Sequence, residues 1–343
     1  MKKTKNATMQ DIADRLQLSK NAVSLALSGK PGVSDETRES VINMARHLEY
    51  KQKTNDHADS TGSKNILVCI PSYIQNDSFF YQDIYWSIDN RASQKGYNAV
   101  MSVITEDMQR SKLLPPICNE MDFVGYLLVG VFDENYIRFL QQRSSSILSV
   151  DHINYGVDVK SVVTANIEGS YIITKKVIEC NHTEIGFVGS YSMTSSIFER
   201  WCGFQKALND AGLPVKQEYI INDNSPLSVL LSDSTEMKQK LLELKSMPTA
   251  FVCGGDRIAI AVIDALKQIG YVVPRDISVV GFDDIELGSF IEPKLTTMHV
   301  KRKQMGQLAV DLLLKSNESK TQIGTYSLKP EYICRHSLTL APV

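Results

Sequence analysis

Residues 8–50, TMQDIADRLQLSKNAVSLALSGKPGVSDETRESVINMARHLEY, hold three short helical patterns in succession. Thr8 can cap a helix on which Ile12 and Leu16 share a face, and Ser19 a second on which Val23 and Leu27 share one. A third begins at Ser34, where Asp35 and Glu36 suit the positive end of the helix dipole, and its apolar stripe is Val41, Ala45 and Leu48. Each stripe is too narrow to be hidden alone, so the three helices must pack on one another. Only Gln17 and Leu18 separate the first two, which predicts a tight helix-turn-helix; Gly29, Pro31 and Gly32 supply a looser second turn.

In such a unit Val23 and Leu27 face the small core, and the second helix offers Lys20, Asn21, Ser24 and Leu25 to a DNA major groove. Lysine donates to guanine O6 and N7, asparagine pairs with adenine N6 and N7, and leucine meets only a thymine methyl or another apolar edge. The hydroxyls of Thr8, Ser19 and Ser24 are the candidates for phosphate contacts. Charge points the same way: residues 1–30 carry Lys2, Lys3, Lys5, Arg15, Lys20 and Lys30 against Asp11 and Asp14, although the chain as a whole is −2. The alternative is a small protein-interaction domain in which Lys20 and Asn21 are merely solvated; the basic excess and the tight turn favour DNA.

Residues 51–64, KQKTNDHADSTGSK, contain one apolar side chain, Ala58, and read as a polar linker. Random-coil scaling of about 5–6 Å × √n gives it a reach of roughly 20 Å.

The remaining chain, residues 65–343, is long enough for further cores, since 343 residues exceed what one hydrophobic interior organises. With 22% charged and 43% apolar residues it reads as globular. Short β-rich runs (65–70, 97–104, 123–131, 146–150) alternate with helical patterns near 79–95 and 134–143. A second series follows, with runs at 185–188, 219–221, 249–253 and 277–280 and helices near 168–181, 197–212, 235–245 and 256–269. The expected fold class is therefore α/β: two lobes of doubly wound parallel sheet with a cleft between them, joined to a small all-α head. Ligands of such sheets bind beyond the carboxyl ends of the strands, where Ser72, Tyr73, Asp151, Ser190, Asp256 and Asp283 stand, with Phe79 and Phe80 able to cover apolar parts of a ligand. For each carboxylate singly, capping a helix or fixing a loop is the more common role, Asp256 before IAIAVIDAL above all.

The patterns T-x-x-D-I-A, S-x-x-A-V-S and V-S-x-E-T-R, in Thr8–Ala13, Ser19–Ser24 and Val33–Arg38, resemble the DNA-binding head of the lac repressor/galactose repressor family of bacterial regulators. The resemblance extends over nearly the whole chain, through FFYQDIYWSIDNRASQKGY (79–97), the ER-x-x-GF of Glu199–Phe204 and VPRDISVVGFDDIELGSFIEPKLTTM (273–298). It implies an effector domain with the fold of periplasmic sugar-binding proteins, base reading by Lys20, Asn21 and Leu25, a ligand-clamping arginine at Arg200, and hydroxyl-binding aspartates at Asp151 and Asp283. For Arg200 taken alone, the competing reading is a surface ion pair with Glu199 or Asp210. The resemblance also places crossings between lobes near Thr164, Pro293 and Tyr326, giving one lobe of about 65–164 and 294–325 and another of about 165–293 and 326–343. The family's hinge-helix proline and minor-groove leucine have no counterpart in residues 51–64; Leu25, Ala165 and Gly255 replace more polar residues common in the family. The hypothesis for the linker is phosphate contact by Lys51, Lys53 and Lys64 at most, without kinking of the duplex.

The expected function is a repressor acting as a homodimer on a pseudopalindromic double-stranded operator, modulated by a small molecule, possibly a sugar, held between the lobes. A protein corepressor, or regulation without an effector, is the alternative. An α/β enzyme is the remote one, because G-x-G-x-x-G, P-loop, G-x-S-x-G and H-E-x-x-H are all missing from the sequence. No catalytic residue, cofactor or metal site is expected; the six cysteines stand singly and read as small hydrophobes. The longest apolar run, 124–132, is too short for a bilayer and residues 1–16 lack a secretory apolar segment, so the expected location is the cytoplasm, with no membrane partner.

Overall fold

The computed structural model describes residues 8–27, 32–48, 63–75, 79–144, 146–191, 194–222, 234–315 and 324–342. The chain divides into two compact units, residues 1–61 and 62–343.

In the first unit α1 (Met9–Leu16), α2 (Lys20–Leu27) and α3 (Asp35–His47) enclose a core of Ile12, Ala13, Val23, Ala26, Val41 and Ala45, with Leu16, Leu18 and Leu48 packed against it. Thr8 forms a capping box: its hydroxyl accepts the Asp11 amide at 3.3 Å, and the Asp11 carboxylate accepts the Thr8 amide at 2.6 Å. Gln17 ends α1 in the left-handed conformation (φ 53°), which turns the chain within two residues and lets Ser19 cap α2 through the Ala22 amide at 3.1 Å. The side chain of Leu27, expected beside Val23, lies outside the described residues; Ala26 takes the inward position. Gly29, Pro31 and the linker up to residue 62 also lie outside them, so the expectations for the looser turn and for the hinge rest on sequence alone.

The second unit contains two parallel sheets. Strands β1 (Asn65–Pro71), β2 (Asn98–Ile104), β3 (Gly125–Val129), β4 (Ile147–Val150), β5 (Lys160–Thr164) and β11 (Thr325–Leu328) pair in the order β11-β5-β4-β3-β1-β2. Strands β6 (Ile185–Val188), β7 (Ile220–Ile221), β8 (Ala250–Cys253) and β9 (Ser278–Val280) pair in the order β7-β6-β8-β9. The inner strands are buried throughout and apolar except for Ser149 of β4, as strands covered by helices on both faces tend to be. On the first sheet one face is covered by α4 (Tyr81–Gln94) and α12 (Arg302–Lys315); the other carries Tyr136, Ile137 and Leu140 of α6 (Glu134–Gln141), beyond α5 (Glu106–Arg110). Gly306 permits the α4–α12 approach, because a Cβ there would run into Ser87 and the α4 backbone. On the second sheet lie α7 (Asn166–Glu179), α8 (Ser195–Asp210), α9 (Ser234–Leu242) and α10 (Asp256–Gln268), with the short α11 (Leu287–Phe290) beyond.

The chain passes from one lobe to the other three times. The first passage follows β5 at Thr164. The other two are bound together by antiparallel β10 (Thr297–His299) and β12 (Glu331–Ile333). β11 pairs with β5, so the lobe boundary expected at 325/326 falls inside a strand of the first sheet, and the passage expected near Tyr326 follows Leu328. β5, β10, β11, β12 and α12 have no counterpart among the expected elements; each strand is at most five residues, and β10, β11 and β12 pair with partners distant in sequence.

Candidate DNA-reading face and interlobe cleft

On α2 the outward positions are Lys20, Asn21 and Ser24, all exposed, while Val23 and Ala26 are buried. Arg38 of α3 donates to the carbonyls of Leu25 and Ala26 at 3.4 and 3.2 Å, tying the carboxyl end of α2 to α3. Leu25 is half-buried, and its Cδ1 lies 3.2 Å from where a Cβ on Gly32 would stand; Gly32 has φ +120°. Leu25 thus leans toward the second turn and is only partly free to meet a base. The hydroxyls of Thr8 and Ser19 serve their own helix caps, and Thr8 Oγ1 also donates to Asp11 at 2.6 Å, so two of the three residues expected at phosphates act first on helix ends.

In the second unit Arg200 on α8 is 5% exposed. Gly203, one turn further along, lets α8 press against α7, since a Cβ there would strike the Ile167 carbonyl and Ser170. That contact brings Arg200 Nε to Asn166 Oδ1 at 2.9 Å. Nη1 donates to the Gly254 carbonyl at 2.7 Å, Nη2 pairs with Asp283 Oδ1 at 3.0 Å, and the guanidinium lies 3.9 Å from the Phe282 ring centre. The surface pairs with Glu199 or Asp210 do not form: Glu199 accepts from Asn166 and Tyr155, and Asp210 pairs with Lys206.

Facing Arg200 from the first lobe is Asp151, at the end of β4 with φ 64°. It accepts the Tyr81 hydroxyl at 3.1 Å. Loss of solvation pushes its carboxyl up to about 7, Arg200 opposing the shift and Asp283 adding to it. Burial likewise raises Glu199, with Asn166 and Tyr155 pulling the other way. The neighbouring His152 is pushed down to about 4 by burial, and its Nδ1 lies 2.9 Å from Ser195 Oγ across the cleft. The cluster is lined with groups that accept or donate hydrogen bonds but carries more carboxylate than cation, a suitable lining for a hydroxylated or weakly basic molecule.

The other expected cleft residues divide. Tyr73 is exposed and its hydroxyl accepts the Val131 amide at 3.1 Å; Ser72 beside it is exposed. Phe79 lies under Arg257 of the opposite lobe at 5.3 Å, and Phe80 is buried under Arg302 at 5.5 Å. Asp256 is fully buried and both its oxygens are taken, one by Thr297 Oγ1 at 2.5 Å and one by the Ile285 amide at 2.9 Å. It therefore anchors the 285 loop, and neither caps its own helix nor lines the cleft; burial raises its carboxyl too. Sequence reasoning did not single out Tyr81, His152, Asn166, Ser195 or Arg302. Asn166 and Tyr81 adjoin residues that were noticed, but the roles of Ser195 and Arg302 depend on contacts across more than forty residues of chain. Two cavities flank the cluster. One of about 440 Å³ is bordered by Thr164, Asn166, Glu199 and Ser327, and one of about 530 Å³ by Asp83, His299, Arg302 and Glu331. Among the described residues no group of three or more His, Cys, Asp or Glu is placed to hold a metal ion, and no helix is long and apolar enough to cross a membrane.

Comparison with known proteins agrees with both units. Residues 8–53 match the profile of bacterial regulatory proteins of the lacI family, and residues 174–338 that of the periplasmic binding protein-like domain. The HTH-type transcriptional repressor PurR of Aliivibrio salmonicida is 27% identical over 339 residues, 97% of this chain and 99% of that protein. PurR of Haemophilus influenzae is 25% identical over 340 residues, covering 97% and 98%. Among solved structures, the CelR–cellobiose complex superposes with a TM-score of 0.70 at 20% identity, covering 96% of this chain and 99% of that one. The lac repressor dimer bound to operator and the anti-inducer ONPF gives 0.69 at 21%, covering 98% and 100%. The chain thus joins a lacI-type helix-turn-helix head to a periplasmic-binding-protein-like body, and its similarity to PurR repressors extends over 97% of its length.

Proposed function

We propose that this chain is a DNA-binding transcriptional repressor whose hold on its operator is set by a small metabolite between the lobes of the second unit. The observation that carries the reading is the build of α2: Lys20, Asn21 and Ser24 exposed on one side, Val23 and Ala26 buried on the other, and its far end held by Arg38. Lys20 and Asn21 are the base-reading residues; backbone donors at helix ends and the basic head supply phosphate attraction. Two copies, acting as a homodimer, would address half-sites about 34–36 Å apart. Asp151, Arg200 and Asp283 are the effector-contacting residues, with Tyr73, Phe79 and Tyr81 at the edge. The ligand class supported by this lining is a hydroxylated metabolite such as a sugar. The reading is of a binding protein and not of an enzyme.

Gel-shift titration against duplexes from upstream of the chain's own gene, with and without a panel of sugars and nucleobases, tests it. A sequence-selective shift altered by one class of metabolite is expected. Binding that is equally strong on every duplex and abolished by salt would remove the regulator reading.

One observation favours a second reading, control by a protein partner. Arg200 and Asp151 already have protein partners, so the cleft is satisfied without a ligand. Calorimetry with the same panel separates the two, since heat of binding to the second unit is expected only if a metabolite displaces those contacts.

A further inference from the structure

Arg302 opens α12, a helix of the first lobe, and is 8% exposed. Its Nε donates to Asp83 Oδ2 on α4 at 3.1 Å, and its guanidinium stands over the Phe80 ring, both in the first lobe. Its other two nitrogens cross to the second lobe. Nη1 donates to the Asp283 carbonyl and Nη2 to the Asp284 carbonyl, the latter at 3.2 Å. Asp283 and Asp284 have φ of 122° and 53°, a consecutive pair of non-glycine residues in a region that L side chains seldom enter. Such a turn persists only when its surroundings hold it. The side chain of Asp284 is held by His299 Nδ1 at 2.9 Å and Arg335 at 2.6 Å, and the two carbonyls by the fork of Arg302. The same turn carries the carboxylate that pairs with Arg200.

We propose that Arg302 is a positioning residue of the cleft: by gripping Asp83 in one lobe and the Asp283–Asp284 carbonyls in the other, it makes the orientation of Asp283, and through it Arg200, depend on how far the lobes stand apart. Parting the lobes must break either the Asp83 leg or the carbonyl legs. If the carbonyl legs break, the turn loses two charge-assisted hydrogen bonds and relaxes. The guanidinium is suited to this work because its planar fork reaches two carbonyls and a carboxylate together, whereas a lysine ammonium has no such fixed fork. The inference rests on the cleft being the effector site, and its test needs neither ligand nor operator, so failure here is distinct from failure of that reading.

The test is amide hydrogen exchange on the full chain, comparing the wild type with Arg302→Met and Asp83→Ala. Two amides report. Asp283 N, bonded to Met298 O, lies in the turn; Ile153 N, bonded to Ser195 Oγ, spans the lobes without touching Arg302. Arg302→Met is expected to speed both by at least about tenfold, the factor for one charge-assisted hydrogen bond, while amides of β1 and β8 keep their protection. Asp83→Ala leaves the carbonyl legs in place and is expected to speed Ile153 N more than Asp283 N; it also serves if the Met variant folds poorly. Unchanged exchange at Ile153 N in both variants, or a uniform rise that includes β1 and β8, overturns the proposal, since a local or purely structural role would give one of these.

Discussion

In the head, Lys20 and Asn21 are neighbours in the chain, both exposed, on a helix whose packing needs only residues 8–48. In the cleft, Arg200 is buried, and its partners come from Asn166, Gly254, Phe282 and Asp283. The first surface presents exposed groups that, on the proposed reading, would meet DNA. The second is a network of contacts within the protein that a ligand, on the proposed reading, would have to rearrange. A substitution at Lys20 or Asn21 should therefore cost recognition and leave stability alone, whereas one in the cleft should cost both.

The largest expected effect is at Arg200. Arg200→Met leaves the Asp283 carboxylate largely buried without its cation, and loss of about 3–5 kcal/mol of stability is expected from breaking such a pair. Urea denaturation followed in the second unit measures it; a loss under 1 kcal/mol would mean that the cleft is as well solvated as the head, and the contrast would collapse. Next, Asn21→Ala and Lys20→Ala should each lower operator affinity by about 1–3 kcal/mol and relax preference at one base pair, with the unfolding midpoint unmoved. An equal loss on all duplexes would reassign them to phosphate contact.

Ligand affinity should depend on pH through Asp151, whose folded value of about 7 stands above its ordinary 3.8. Taken alone, this group binds its proton more tightly in the folded chain, so its contribution to stability falls as pH rises from 3.8 to 7; His152, lowered from 6.5 to about 4, contributes a loss as pH falls through that window. A ligand that donates to the Asp151 carboxylate favours its charged form and releases the proton. Its affinity should then rise with pH up to 7, by at most about tenfold per unit, one proton's worth. Calorimetry in buffers of different ionisation heat detects the release; flat affinity from pH 5 to 7 would place the ligand away from Asp151. The smallest effect is expected from Thr8→Ala, which removes the α1 cap and should cost the head about 1 kcal/mol, weakening every duplex alike.

The head was legible because its rules are local. Thr8, Ser19 and Ser34 cap helices where their sequence context indicates, as their hydroxyls reach amides three residues on. The strand and helix alternation of both lobes was legible for the same reason, each run being apolar enough to need cover on both faces. The cleft was legible in part: strand ends pointed to Asp151 and Asp283 and resemblance alone to Arg200, and the three do come together, but Asp256 turned inward to Thr297 and Ile285. The helical run after Asp256 marked it for a local cap, but its burial comes instead from Thr297 and Ile285, partners distant in the chain.

What residues 8–50 determined by themselves is a three-helix head with Lys20 and Asn21 outward, since capping and 3.6-residue periodicity act within a few positions. The folded body alone decided that Arg200 should bind Asp283 and not Glu199, that Asp256 should vanish into the interior, and that Arg302 should reach across two lobes. Those outcomes follow from desolvation. A buried charge must find a partner wherever the packing of α7 on α8 and of α4 on α12 brings one near, and that geometry is not written in the spacing of any one segment.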